Sequence, residues 1–249
     1  MSELQHPESR GFERVADLYE RARPEYPREA VDWLAERLDL RSSRIVLDLG
    51  AGTGKLTRGL LRTGAEVIAV EPGDAMRAEL ERALPGVQAL RGSAEHIPLP
   101  EASVDAIAVG QAFHWFRFDE AIPELHRVLR SRGSVALVWN ARDQESPLQR
   151  EINELLAGFI PAGRAVVGDS ARRLAESPLF GPIEERRFQF VQNLDAEGLV
   201  NRLASTSFVA ASTRAKQAEF GRQLRELAAR YGGVVEFPYV TDVYISRAA

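Results

Sequence analysis

Five short apolar runs lie along the middle of the chain: Ile45 to Leu49, Glu66 to Val70, Val87 to Arg91, Val104 to Val109 and Ser134 to Trp139. Segments of helical periodicity separate most of them. No other feature restricts the fold as much. Strands that alternate with helices close through right-handed crossovers into a mostly parallel sheet. The runs are continuously apolar rather than alternating, which suits strands buried on both faces. Helices are predicted over Lys55 to Thr63, Asp74 to Ala83 and Phe118 to Leu129, the last closed by a turn at Arg132-Gly133. Two more are predicted ahead of the first strand, over Phe12 to Ala22 and Glu29 to Leu38, parted by Pro24 and Pro27. After Asn140 the pattern changes. Ser146 to Phe159, Ala171 to Glu176, Ala196 to Ala204 and Thr213 to Tyr231 read as helices, and Arg186 to Val191 alternates like a strand. Val234 to Ser246 supplies one or two final strands around Pro238.

A length of 249 residues holds fewer than two domains of ordinary size. A hydrophobic share of 45% builds a sizeable core and excludes disorder as the main state. Acidic residues number 36 and basic residues 32, a balance of −4 that argues against coating nucleic acid or an anionic membrane. The chain has no cysteine, so disulfides, thiolate metal sites and cysteine nucleophiles are impossible. Its four histidines show no metal-binding spacing, and no metal is expected. No segment reaches the roughly 18 apolar residues of a membrane span. The first 30 residues are charged throughout and lack an apolar core, which argues against a secretory signal. A cytoplasmic protein is the expectation.

The chemically informative stretch is Val46-Leu47-Asp48-Leu49-Gly50-Ala51-Gly52-Thr53-Gly54, where a strand runs into a glycine turn and then a helix. Open α/β sheets bind ligands at such strand ends, because glycine lets the backbone approach a ligand closely. Glu71 ends the next strand, about 20 residues on, where a carboxylate can hold the hydroxyls of a ribose. A dinucleotide turn is a poor fit, since Lys55 stands where its third glycine belongs. A phosphate loop fails twice, at Leu49 and Leu56. S-adenosylmethionine fits best. It has a ribose and an adenine but no phosphate, and Asp48 suits its ammonium group.

Val46 to Gly54 resembles motif I of the class I S-adenosylmethionine-dependent methyltransferases. The resemblance continues through Val70 to Met76, Arg91 to Pro100 and Leu125 to Arg130, and so covers roughly Ile45 to Trp139. Tyr19 with Arg23-Pro24-Glu25-Tyr26-Pro27, and Gln111 to Phe116, resemble a small-molecule branch that includes enzymes acting on aconitate-like carboxylates. The resemblance implies a Rossmann-like seven-stranded mixed sheet with helices on both faces and an antiparallel last strand. It implies a helical cover over residues 1–40, a cofactor-binding core over 41–140, and a helical cap with closing strands over 141–249. Gly50, Gly52 and Gly54 would line the methionine part of the cofactor, and Glu71 would hold the ribose. Pro72 and Met76 would wall the adenine, with Ser93, Ala94 and Glu95 beside it. Gln111 would lie next to the sulfonium, and Tyr19 and Arg23 would close over the site.

Methyl transfer is an in-line displacement, eased chiefly by holding the nucleophile against the methyl group. A protonated oxygen or nitrogen acceptor needs a base, and His114 is the candidate. A carboxylate acceptor needs a cation instead. Trp139, Asn140, Arg142 and Arg164 are loop candidates for acceptor contact. The expected activity is methyl transfer to a small molecule. A nicotinamide-dependent oxidoreductase and a non-catalytic protein that keeps the cofactor pocket are its rivals.

Overall fold

The computed structural model describes residues 20, 22–159 and 167–249. Strands β1 (Ile45–Leu49), β2 (Glu66–Val70), β3 (Gln88–Leu90), β4 (Val104–Gly110) and β5 (Leu129–Arg142) are mutually parallel. β6 (Glu184–Asp195) and β7 (Val234–Arg247) complete the sheet by antiparallel pairing, in the order β3-β2-β1-β4-β5-β7-β6. The α/β class and the seven-stranded mixed sheet are as expected. β1 lies between β2 and β4, so its neighbour changes direction of travel through the chain on either side, and ligands of open α/β sheets bind at such a switch.

Alternate side chains of the parallel strands feed two cores. On one face Val46, Val67, Ala106 and Val138 pack against α1 (Arg28–Arg37) and α2 (Lys55–Leu61). On the other, Leu47, Ile68, Ile107 and Leu137 pack against α4 (Phe118–Val128) and α6 (Val167–Ala175). α3 (Asp74–Ala83) contributes the buried Leu80 to a smaller cluster with Ala51 and Ala69. A third core forms the cap. There α5 (Pro147–Leu156), α7 (Ala196–Ala204) and α9 (Arg214–Arg230) bury Ile152, Leu203 and Leu224 against Phe237 and Tyr239 of β7, while the one-turn helix α8 (Ser207–Ala210) links α7 to α9.

Two expectations need correction. β5 begins at Leu129, not Ser134, because the predicted Arg132-Gly133 turn is absorbed as a bulge. Its register with β4 jumps from Val104↔Leu129 to Ala106↔Ser134, and Arg132 sits at φ 65°. β7 is a single strand that runs through Pro238. Carbonyl and amide of one residue face the same side of a strand, and the Pro238 carbonyl accepts from Asp143 N at 3.1 Å, just beyond the end of β5. The missing N–H therefore faces a place where the ladder has already run out. The helix predicted over Phe12 to Ala22, and with it Tyr19, lies outside the described residues apart from Glu20 and Ala22, both helical. Arg164 also lies outside them. Among the described residues no helix is long and apolar enough to cross a membrane.

Candidate active site

The strand ends at β1, β4 and β5 open into a cleft of about 510 Å³, lined by the glycine turn, the segment around Arg23 and one residue of the cap, Arg202. Asp48 forms its floor. The carboxylate is fully buried, and the Thr57 hydroxyl donates to Oδ2 at 2.5 Å. Among the described residues Oδ1 has no hydrogen-bond partner. Burial, with a smaller push from Glu71, raises its pKa to about 7 despite the bond from Thr57. An acceptor-only group held this way is stabilised by a cation or donor arriving in the cleft.

The turn above it exposes backbone. Gly50 and Gly52 sit at φ 71° and 57°, the left-handed region that glycine enters without penalty. A Cβ at Gly50 would lie 2.7 Å from the Ala112 Cβ, whereas one at Gly52 would meet nothing within 4 Å. The first glycine thus lets the turn pack on the β4 loop, and the second leaves room for a ligand. Gly54, at φ 90°, caps α2. Glu71 ties the turn to the next loop: Oε2 accepts from Gly52 N and Oε1 from Gly73 N, each at 2.8 Å.

Gln111 leaves β4 with φ 58°, a costly conformation for a residue with a side chain. Its amide donates to the Val138 carbonyl and its Nε2 to the Asn140 carbonyl, both at 2.9 Å. Those bonds to β5 hold it against the cleft. Asn140 lines the cleft too, with its Oδ1 accepting from Thr241 at 2.7 Å. Pro72, Met76, Ser93, Ala94 and Glu95 are not among the residues lining the cleft. They follow β2 and β3 at the same edge of the sheet. Met76 and Ala94 are buried, Ser93 and His96 form an isolated bridge, and Glu95 Oε1 accepts from Arg117 N at 2.9 Å, at the start of α4.

The N-terminal segment is fastened over the turn by charge. Lys55 donates to the Glu20 carbonyl at 2.6 Å and to Glu25 at 3.3 Å, and Thr53 donates to Glu20 at 2.6 Å. Arg58 reaches Glu20 at 2.9 Å. Burial alone would raise the Glu20 pKa, yet Thr53, Lys55 and Arg58 together hold it below the usual carboxylate range. Lys55, which spoils the dinucleotide pattern, is therefore an anchor for this segment. Arg23 donates to the Ser205 hydroxyl and carbonyl, both at 3.0 Å, and so joins the segment to the end of α7.

His114 is not among the lining residues. Its Nδ1 accepts from Trp139 Nε1 at 3.4 Å, and its ring lies 4.6 Å from that of Trp115. Trp139 is buried, and Arg142 donates to Gln149 at 3.2 Å. Two lining residues carry more than the sequence reading gave them. Tyr26 places its hydroxyl oxygen where a Cβ on Gly110 would come to 2.6 Å. Arg202 is a buried cation whose sequence signal is an arginine on the same helical face as Leu199 and Leu203, which are both buried. Among the described residues no group of three or more His, Asp or Glu is placed to hold a metal ion.

A mostly parallel sheet with a buried, under-satisfied carboxylate and a glycine turn at its switch point defines a Rossmann-like fold with a cleft suited to a cationic ligand. Comparison with known proteins gives this class a family. The methyltransferase domain model matches residues 47–137. An uncharacterized methyltransferase of Mycobacterium tuberculosis is 39% identical over 239 residues, covering 94% of this chain and 93% of its own. An uncharacterized methyltransferase-like protein of Schizosaccharomyces pombe is 35% identical over 215 residues, covering 86% and 84%. Among solved structures, a candidate type II methyltransferase from Anaeromyxobacter dehalogenans superposes with a TM-score of 0.68 at 30% identity, over 91% of this chain and 97% of that one. The chain belongs to the class I S-adenosylmethionine-dependent methyltransferases. The [4+2]-cyclase SpnF shares the fold at 16% identity with a TM-score of 0.56, so the fold alone does not choose the reaction.

Proposed function

We propose that the protein transfers a methyl group from S-adenosylmethionine to a small-molecule acceptor by direct in-line displacement in the cytoplasm. The observation that carries this reading is the Oδ1 of buried Asp48, without a hydrogen-bond partner among the described residues, in the cleft that the open space at Gly52 also lines. Asp48 would take the cofactor's ammonium group, the Gly50-to-Gly54 turn its methionine part, and Glu71 its ribose. Pro72, Met76, Ser93, Ala94 and Glu95 would enclose the adenine, while Arg23 and Gln111 would border the methionine and sulfonium end. When bound, the cofactor supplies an electrophilic methyl group on a cationic sulfur.

The chain's own work is then positioning. Gln111, fixed to β5 by two hydrogen bonds, presents a polar amide to the reacting end of the cleft. The Glu20–Lys55–Arg58 cluster holds the segment that begins at Glu20 against the turn. No cysteine is present to relay the methyl group, so acceptor and cofactor meet directly. A protonated acceptor would need a base; His114 would serve only if it turned from Trp139 towards the cleft. A carboxylate would attack unaided, needing only orientation.

Calorimetry tests the reading. S-adenosylmethionine and S-adenosylhomocysteine should each bind one to one, and NADH should give no heat. Absence of heat with both cofactor forms would sink it. Methyl-labelled cofactor with a panel of acceptors separates an enzyme from a protein that only binds.

A further inference from the structure

The cleft ends in a charge that no carboxylate among the described residues balances. Arg202, on the face of α7 that packs towards β7, is 4% exposed and lines the cleft. Its Nε donates to the Tyr239 hydroxyl, which in turn donates to Gln192 at 3.3 Å. The guanidinium carbon lies 5.4 Å from the Tyr239 ring centroid and 5.7 Å from that of Phe237. Among the described residues no carboxylate pairs with Arg202, and only its Nε has a hydrogen-bond acceptor. A guanidinium carries five donors in a planar fork and stays charged at any physiological pH. Unlike a lysine, it cannot shed its proton to escape burial. The aromatic rings offset part of the lost hydration. An anion that enters the cleft would supply the rest.

The cofactor's own carboxylate is one source. It shares a carbon with the ammonium group, so it must lie close to whatever Asp48 holds. Tyr239, which tethers Arg202, lies on β7, three strands from β1, and pairs with Arg142 beyond the end of β4. At about 4.8 Å per strand the tether stands about 14 Å from β1 across the sheet alone. A second molecule entering on the β7 side of the cleft is the other source. Ser205 joins Arg23 to Arg202, accepting from Arg23 at 3.0 Å and donating to the Arg202 carbonyl at 2.7 Å.

We propose that Arg202 is the seat for a carboxylate of the methyl acceptor, with Tyr239 as the positioning residue that aims it. The inference rests on the methyl-transfer reading and names its acceptor class. A planar fork matches a carboxylate with two parallel hydrogen bonds, and burial makes them selective over neutral isosteres.

The test uses the full chain saturated with S-adenosylhomocysteine, titrated with benzoate and succinate and, as neutral controls, with benzamide and succinamide. Melting temperature and calorimetric heat are the readouts. The carboxylates should stabilise and bind the wild type while the amides do not. Arg202→Met should bind S-adenosylhomocysteine within about twofold of wild type, yet bind the carboxylates on the order of tenfold to 100-fold more weakly. Arg202→Lys should fall between. Should Arg202→Met fail to fold, Tyr239→Phe carries the test, with weakened carboxylate binding and unchanged cofactor binding. Equal responses to carboxylates and amides overturn the proposal, as does carboxylate binding that survives Arg202→Met. A tenfold loss of S-adenosylhomocysteine affinity in Arg202→Met also overturns it, and assigns the residue to the cofactor's carboxylate. If the wild type binds no S-adenosylhomocysteine, the methyl-transfer reading fails by itself. Titration of the free protein with the same four compounds then still decides Arg202.

Discussion

Two aspartates on neighbouring strands show how differently the two ends of one sheet are built. Asp105, at the start of β4, is saturated. It accepts from Ile45 N and Arg130 at 2.8 Å and from Arg44 at 2.9 Å. Burial would raise its pKa, but these three partners hold it below the usual carboxylate range. Asp48, near the end of β1, is buried more deeply, has one bonded oxygen among the described residues, and is pushed up to about 7. The first end spends its charges on closing the sheet. The second leaves a charge incomplete, among the described residues, at the end where the cofactor is proposed to bind. Stability and function have been given opposite edges of the same β-layer.

The sharpest way to break this contrast is Asp48→Asn. Loss of the charge that faces the cofactor's ammonium should weaken S-adenosylmethionine binding by about 2–3 kcal/mol, the scale of a charged hydrogen bond. The same change should stabilise the free protein at pH 8. Asp48's folded pKa is raised above its ordinary 3.8 to about 7. Its contribution to stability is therefore present at low pH and lost as the pH rises through that window. The melting temperature of Asp48→Asn should exceed wild type at pH 8, with a gain that shrinks towards pH 5. Equal melting curves at both pH values would show that Asp48 is not a strained charge.

Asp105→Asn is the converse. It should cost about 2 kcal/mol, a fall of about 4–8 °C in melting temperature, and leave cofactor affinity unchanged. Because the Asp105 pKa is lowered, the stability it provides is present above its unfolded value and lost as the pH falls. The deficit of the mutant should shrink in acid. A change in cofactor affinity would mean that the two edges are coupled.

A graded effect, smaller over a single pH unit, comes from pH itself. A cation binding at Asp48 needs the ionised carboxylate, so wild-type affinity for S-adenosylmethionine should fall about tenfold per pH unit below pH 7. Asp48→Asn should flatten that slope. A wild-type affinity that is level from pH 5 to pH 8 would exclude Asp48 as the ammonium site.

The functional edge was the more legible of the two because its information is local. Apolar runs mark β1 to β4, and the strand, Asp48, three glycines and Glu71 lie within one βαβ unit of sequence. What sequence reasoning missed depends on distant chain. Arg202 reads as one polar position on an amphipathic helix until Tyr239, 37 residues later, is packed against it. Lys55 reads as a defect in a motif until Glu20 and Glu25 are brought to it from before the sheet. The bulge at Arg132 looks like a turn because a left-handed residue next to glycine serves either purpose. His114 was chosen for following a strand, and whether it faces the cleft or Trp139 depends on how the short turn at Phe113–Trp115 winds.

The place of β7 has a consequence for how the protein is made. β6 is synthesised before β7, yet among the described residues β7 is its one partner in the sheet, lying between it and β5. While the ribosome adds the residues between Asp195 and Val234, β5 presents a free edge and β6 has nothing to join. Such edges recruit other chains. The nascent polypeptide must keep the cap and β6 waiting until Val234–Arg247 emerges and zips both sides at once. A chain released early would lose its final strand and expose both of the edges that strand covers, so the penalty for incomplete synthesis is aggregation.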